Sequence, residues 1–589
     1  MAQGIGCANR SGAGGAMVEA LEEDPELESL DLDEAELDID AIKRLATVLA
    51  RHKALTELDL GRNLLKDKGI WAIATALEKN RCLAILGLRS CSVREAGSKR
   101  LADALCQNST LRELSLGHNN RIGNVGAECF AVALEHGAQL RKLDLSSTCM
   151  EEPGALRVAA ALEHTSVLSS LRLRDNALGD TAASALATAI ARRGNPLKEL
   201  DLCRCGLGPV AAEKFASALM EAECSLSTLD LMGNQIGTKG CAALAAALEK
   251  NRVLQELDLS RAGLGEEGAQ ILGAALVRSR GLRELRVSRN DLGDQGLTHL
   301  AGGLERNRSL QVLSVRDNCI TDSGTLALSE ALKKNKALKE LELGSNCVGD
   351  AGARGLGLAL ISNRALKVLN LQENKVGDIG ADGIVVGLER NVFLEELDLS
   401  RNLVGHNGAA RLLGSLQKNR QLSLLALEGN DISEALLESI LTVVSSKEGR
   451  GEADEEPAAP DKAAEAEEDE ERGSLTDIVA MARRSREDCR AAAAEAGSAR
   501  ASVGGALEAM GTAAGAAGQR RKDSHLEGLG FSDRAQALEQ GAERLLRRAQ
   551  GEPAEQTDFL GVPAGAVGAG AGAVAARRLR AVRSEPLFN

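Results

Sequence analysis

The sequence predicts an α/β solenoid: an open parallel β-sheet on a concave side, backed by helices on a convex side. Three observations carry this. The 589-residue chain repeats itself every 28 or 29 residues, from Leu27 through Leu55, Leu83, Leu111, Leu140, Leu168, Leu197, Leu226, Leu254, Leu282, Leu310, Leu338, Leu366 and Leu394 to Leu422. Each repeat opens on LxxLxL or a close variant, and its second half sets small or apolar residues at helical spacing. Fifteen consecutive units make one elongated body, not a set of separate domains.

In "LRELRVSRNDLGDQGLTHLAGGLERNRS", residues 282–309, the opening alternates apolar and polar residues, as a strand with one buried face requires. Three residues after the strand comes an Asn in ten units (Asn63, Asn119, Asn176, Asn234, Asn290, Asn318, Asn346, Asn374, Asn402, Asn430), replaced elsewhere by Cys, Thr or Ala. An inward Asn can bond backbone groups freed where the chain leaves the strand, and stacked copies form a ladder. An apolar residue and then often an acidic one follow (Asp67, Asp180, Glu266, Asp294, Asp322, Asp350, Asp378), placed where it can cap a helix or favour its positive N-terminal end. A Gly then opens a helix whose buried stripe, in the quoted unit, is Gly296, Leu297, Leu300 and Leu304. A single unit cannot bury its apolar face alone, so stacking is obligatory. Helices are wider than strands, so the stack must curve with its sheet inward.

The unit LxxLxLxxNxLGDxGxxxLxxxLxxN resembles the ribonuclease-inhibitor type of leucine-rich repeat, shared with NOD-like receptors, Ran GTPase-activating proteins and several actin-regulatory and axonemal proteins. The resemblance covers roughly residues 27–444 and implies a leucine-rich-repeat horseshoe that binds other proteins. It does not select a partner, because this fold presents a surface to unrelated ones. It implies a non-enzymatic scaffold, with Ran-type activation of a small GTPase or a structural cytoskeletal or axonemal role as alternatives. No functional residue of the GTPase activators can be carried onto a position here.

The register gives the outward residues of the strands. Before the second Leu stand Glu57, Glu113, Glu199, Glu256, Glu284, Glu340 and Glu396; after it stand Asp31, Asp59, Asp144, Asp201, Asp230, Asp258, Glu342 and Asp398. Two acidic columns therefore run down the inner face and focus a negative potential there. Beside them lies a column of Arg62, Arg204, Arg261, Arg289 and Arg401. Such a stripe either orients a partner by charge or is lateral pairing on a solvated face. Arg172, Arg174, Arg286, Arg289 and Arg316 interrupt the acidic pattern and are the sharpest candidates for partner contact, with Asp201, Asp230, Asp258, Glu256, Glu284, Glu340 and Asp398 around them.

Composition narrows the function classes. A net charge of −14 and a pI near 5.3 argue against nucleic acid, whose polyanion needs a basic surface, and favour a basic protein partner, while the resemblance to Ran GTPase-activating proteins implies a small GTPase as the alternative. Aromatics are 1% of the residues, so the core must rest on Leu, Ala, Val and Ile. Trp71, on a helix, reads as local packing. No GxSxG, Walker A, HExxH or kinase signature occurs, the seven His are scattered, and the glycines are accounted for by the repeat, so no catalytic group, cofactor or metal is expected. The 13 cysteines include no CxxC pair, and the close pair Cys203 and Cys205 has no second ligand cluster. Free thiols, with no apolar leader or membrane-length stretch, suggest a cytoplasmic protein, with nuclear or perinuclear residence left open.

The expected organisation is an N-terminal segment with a capping half-repeat (1–26), the repeat body (27–446), an acidic disordered linker (447–473), a helical or partly disordered segment (474–550) and a Gly/Ala-rich disordered tail with a basic end (551–589). The linker follows from "GEADEEPAAPDKAAEAEEDEE", which has too little apolar surface to fold. In the tail, Arg580, Ser584 and Pro586 form RxxxSxP, and "RRKDS" ends at Ser524; both serines are candidates for phosphorylation.

Overall fold

The computed structural model describes residues 4–5 and 21–448. Most of the acidic linker, the 474–550 segment and the 551–589 tail, with Ser524 and Ser584, lie outside the described residues.

Sixteen strands form one parallel sheet in strict sequence order, from Gly4–Ile5 to Leu424–Ala426. Fifteen helices among the described residues alternate with them, from Ile39–Leu49 to Glu434–Glu448. The repeat is also the pairing register: Glu256, Leu257 and Asp258 face Glu284, Leu285 and Arg286, which face Val312, Leu313 and Ser314. Each strand of the fifteen repeats is three residues long, and its central leucine (Leu58, Leu257, Leu285) is buried beneath the helices. Neighbouring strands sit about 4.8 Å apart while packed helices want roughly 8–10 Å, which makes the sheet the inner face.

Leu21 is buried ahead of the first unit, and Ile440 and Val444 of the last helix are buried at the other end. The extra strand Gly4–Ile5 pairs with Ser29 and Leu30, an extension that no repeat pattern announces.

The asparagine ladder forms as predicted. Asn63 Nδ2 donates to the carbonyls of Leu32 (2.7 Å) and Leu60 (3.0 Å), while its Oδ1 accepts from the Leu37 amide (3.0 Å). One side chain thus satisfies backbone groups of two units. A second ladder, not anticipated, runs along the opposite edge. Asn307, just past its helix, donates from Nδ2 to the Leu276 carbonyl (2.7 Å) and accepts from the Leu310 amide (2.7 Å). Asn335, Asn363, Asn391 and Asn419 do the same in turn.

The acidic residue that opens several helices caps the helix of the following unit. Asp322 Oδ1 accepts from the amides of Gly349 (2.7 Å) and Gly352 (2.8 Å); Asp350 serves Gly377 and Gly380, and Asp378 serves Gly405 and Gly408. The reason is distance, since the carboxylate projects along the stack into the positive end of the neighbouring helix. This explains the repeated Gly. A Cβ at Gly352 would stand 2.7 Å from Asp322 Oδ1, and one at Gly380 2.7 Å from Asp350 Oδ1.

Not every helical glycine is needed. Gly302 lies exposed in the helix Gly293–Arg306, and an added Cβ would meet nothing within 4 Å. Gly302→Ala should therefore stabilise the fold by about 1 kcal/mol, through lower backbone entropy in the unfolded chain. A rise in the urea midpoint at unchanged m-value is the expected observation, and a fall would contradict it.

Candidate protein-binding face

The outward residues of the strands form the inner face in the predicted order. Asp201, Asp230 and Asp258 are consecutive in the pairing register, as are Glu256 and Glu284. Arg172 lies between Asp144 and Asp201, and Arg286 between Asp258 and Ser314. Arg174 adds its charge to Asp201, Asp230 and Asp258. Arg289 and Arg316 turn to Asp317 and Gln372, and Glu340 and Asp398 stand on later strands.

Crowding sets the electrostatics. Asp230 is pushed up to about 7, first by burial and then by the charges of Asp258 and Asp201, against an opposing hydrogen bond from the Met232 amide. Glu284 is pushed up to about 7, again first by burial, with Arg286 opposing and Glu256 and Glu342 adding to the rise. Burial likewise raises Asp201, Asp258 and Glu256. Burial, with like charges at strand spacing adding to it at Asp230 and Glu284, makes the stack resist full ionisation.

Native groups raised in this way hold protons that the unfolded chain has released. Their contribution to stability is complete below the ordinary carboxylate range and is lost as pH rises through about 7. Asp230→Asn removes one charge from the stack and keeps an oxygen for the Met232 amide, which the carboxylate now binds at 2.8 Å. We expect a gain of about 1 kcal/mol at pH 8, reduced from the value for a dry site by partial solvent screening, and a smaller gain at pH 5.5. Urea melts at the two pH values test this, and an equal gain at both would refute the assignment.

The aspartate column has a structural duty that the sequence reading missed. Asp59, Asp201, Asp258 and Asp398 each accept from the backbone amide two residues on, at Gly61, Cys203, Ser260 and Ser400, at 2.7 to 2.9 Å. The carboxylate ties off the amide where the strand ends, a local bond that the short Asp side chain reaches readily. The signal was present in the fixed spacing of Asp from the strand end.

The arginine column is also built into the frame. Arg62, Arg204, Arg261, Arg289 and Arg401 occupy left-handed backbone, with φ between 53° and 58°, where Gly233 and Gly429 stand in other units. Arg62 pairs with Asp33, Arg204 with Asp175, Arg289 with Asp317 (3.0 Å) and Arg401 with Glu373 (2.6 Å). Lateral pairing therefore accounts for most of this column. Arg286 pairs with Glu284 of its own strand, and Arg316 Nη2 reaches Gln372 Oε1 at 3.4 Å across Gly344. Arg174 Nη2 donates to Cys203 Sγ at 3.1 Å; its Nε is buried without a hydrogen-bond acceptor, 3.7 Å from Asp175 Oδ2. Cys205 donates to the Leu173 carbonyl at 3.2 Å, so the close cysteine pair is divided between the face and the ladder.

Trp71 departs from the packing reading. It is 53% exposed, with the Arg100 guanidinium 6.0 Å from its ring centre, a cation–π contact on the helical side. No helix among the described residues is long and apolar enough to cross a membrane.

The repeats match a family model described as leucine rich repeat over residues 107–131, 165–187, 223–245, 250–273, 279–301, 306–329, 334–357 and 362–385. A ribonuclease inhibitor of Sus scrofa is 31% identical over 142 residues, which is 24% of this chain and 31% of that protein. A NACHT, LRR and PYD domains-containing protein 3 of Bos taurus is 31% identical over 139 residues, 23% of this chain and 13% of that protein. The matched part of the chain spans less than a third of either relative. Among solved structures, the complex of Rad7 and Elc1 in yeast aligns over 62% of this chain and 82% of that chain, at 19% identity and a TM-score of 0.38.

Proposed function

Because the chain is a leucine-rich-repeat protein of the ribonuclease-inhibitor type, we propose that it is a non-enzymatic scaffold that binds a protein partner on the inner face of its sheet. The observation carrying this is the central cluster, where Asp201, Asp230, Asp258, Glu256 and Glu284 are held crowded and partly desolvated. Each carboxylate ties off a backbone amide, but stacking their charges costs the fold stability that a cationic partner would restore. Arg172 and Arg174 at one end of the cluster, and Arg286, Arg289 and Arg316 at the other, fix where acidic groups of the same partner would sit.

The test is capture on the immobilised full chain, comparing wild type with Asp201→Asn/Asp230→Asn/Asp258→Asn at low and high salt. Each Asn keeps an oxygen for the backbone amide its Asp now binds, so the frame is preserved. A partner that salt releases and that the triple variant retains about tenfold less is the expected result, since neutralising close charge pairs costs 1.4 kcal/mol or more. Equal retention by both chains would remove the inner face from the reading. Stimulation of single-turnover GTP hydrolysis by catalytic amounts of the chain would replace the scaffold reading with GTPase activation.

A further inference from the structure

The aspartate column is broken in two consecutive units. Where eight of the fifteen units place a carboxylate after the central leucine, the strands Ile85–Gly87 and Glu113–Ser115 place the small residues Gly87 and Ser115. A hollow of about 230 Å³ lies over these two strands, reaching from the strand Glu57–Asp59 to the strand Ser170–Arg172. Glu57 and Asp59 wall one side; Glu113 and Asp144 wall the other; Ile85 gives an apolar flank. Lys142 and Arg172 also line it, and Lys142 is tied to Glu113 at 3.0 Å. Four carboxylates against two cations leave a formal charge of −2 around the opening. The Asp59 carboxylate leans over Gly87, where any Cβ would overlap it.

Size and lining together select an occupant. Small-molecule and cofactor sites run to roughly 300–1,000 Å³ with apolar and often aromatic walls, and this hollow is smaller, acidic and without an aromatic residue. A long cationic side chain fits both properties, its methylene stem against Ile85 and its head among the carboxylates. Resting on the inner face as the binding face, we propose that this hollow anchors a lysine or arginine side chain of the protein partner. It gives that face a position-specific contact beside the Asp201–Asp258 stack, with Arg172 between the two.

The experiment is zero-length carbodiimide coupling of a biotinylated tetralysine peptide to the full chain, with the joined carboxylates mapped by mass spectrometry. Mapping keeps coupling at the acidic 451–471 stretch separate from coupling on the face. Glu57, Asp59, Glu113 and Asp144 should couple in preference to Asp398 at the far end. Ser115→Leu, which fills the hollow without changing charge, should lower their coupling about tenfold, equivalent to 1.4 kcal/mol. Ser115→Ala, which leaves it open, should not. Even coupling along the face, or coupling indifferent to Ser115→Leu, would overturn the anchor. Coupling concentrated at Asp201, Asp230 and Asp258 would overturn it while upholding the inner face. Coupling no greater there than at Glu267 on the helical side would remove both.

Discussion

Gly357→Ala should cost about 3 kcal/mol, at the upper end of what inserting one methyl group into a packed interior does. The helices Asp350–Leu360 and Asp378–Leu388 meet backbone to backbone, and a Cβ at Gly357 would overlap the carbonyl of Gly383. Gly387 faces Gly357 in the same way, so the methyl cannot be absorbed by a rotamer change. The helices must separate, and with them the buried Leu356, Leu360, Ile384 and Leu388 lose contacts. In a stack of repeats each unit contacts only its neighbours, so the damage should stay local. Hydrogen exchange should show amides beyond residue 350 losing protection well before those of residues 55–250. Gly414→Ala is the control, since a Cβ there meets nothing within 4 Å. If both variants unfold alike, the close approach of the two backbones is not what demands glycine.

The contrast between Gly357 and Gly414 shows how far the sequence could be read. Period, strand, helix and ladder asparagine were legible because each obeys a one-dimensional rule: alternation, helical spacing, or one residue type at one place. What depended on a neighbouring unit was not. Asp322 looks like a cap for the helix that begins at its own position, and only stacking shows that it reaches Gly349 and Gly352. The second ladder, at Asn307 and its counterparts, repeats as regularly as the first, yet its role depends on carbonyls left free by the preceding helix.

The inner face was legible in position but not in state. Alternation placed Asp201, Asp230 and Asp258 outward and in line. It could not show that each accepts from a backbone amide, or that burial holds Asp230 partly protonated near neutrality. The arginine column was visible in "LSRN" and "LGRN", but its left-handed backbone was not, because arginine has no special preference for that region. The hollow at Gly87 and Ser115 appears as an omission in a column, and its meaning as a space depends on the sheet being assembled.

Asn318→Ala should produce the other large loss, about 3 kcal/mol. Asn318 Nδ2 donates to the carbonyls of Val287 (3.0 Å) and Arg316 (3.2 Å), and its Oδ1 accepts from the Asn290 amide at 2.8 Å and the Leu292 amide at 3.4 Å. Alanine satisfies none of these. Each buried group left without a partner costs about 1–3 kcal/mol, and partial relaxation keeps the total below the sum. The chain itself sets the scale of tolerance. Ala262 stands at the same position in one unit, so a single missing rung is survivable. Thr148 stands there in another and keeps part of the pattern, its Oγ1 lying 2.8 Å from the Leu145 carbonyl and 3.3 Å from Asn176 Oδ1. Asn318→Thr should therefore recover about half of the loss, because it restores a donor but not the paired acceptor and donor of the amide. Chemical denaturation of the two variants decides the matter. A loss equal for Ala and Thr would mean that side-chain volume, not hydrogen bonding, holds the turn, and no measurable loss for either would mean that the ladder follows from stacking and does not help to hold it.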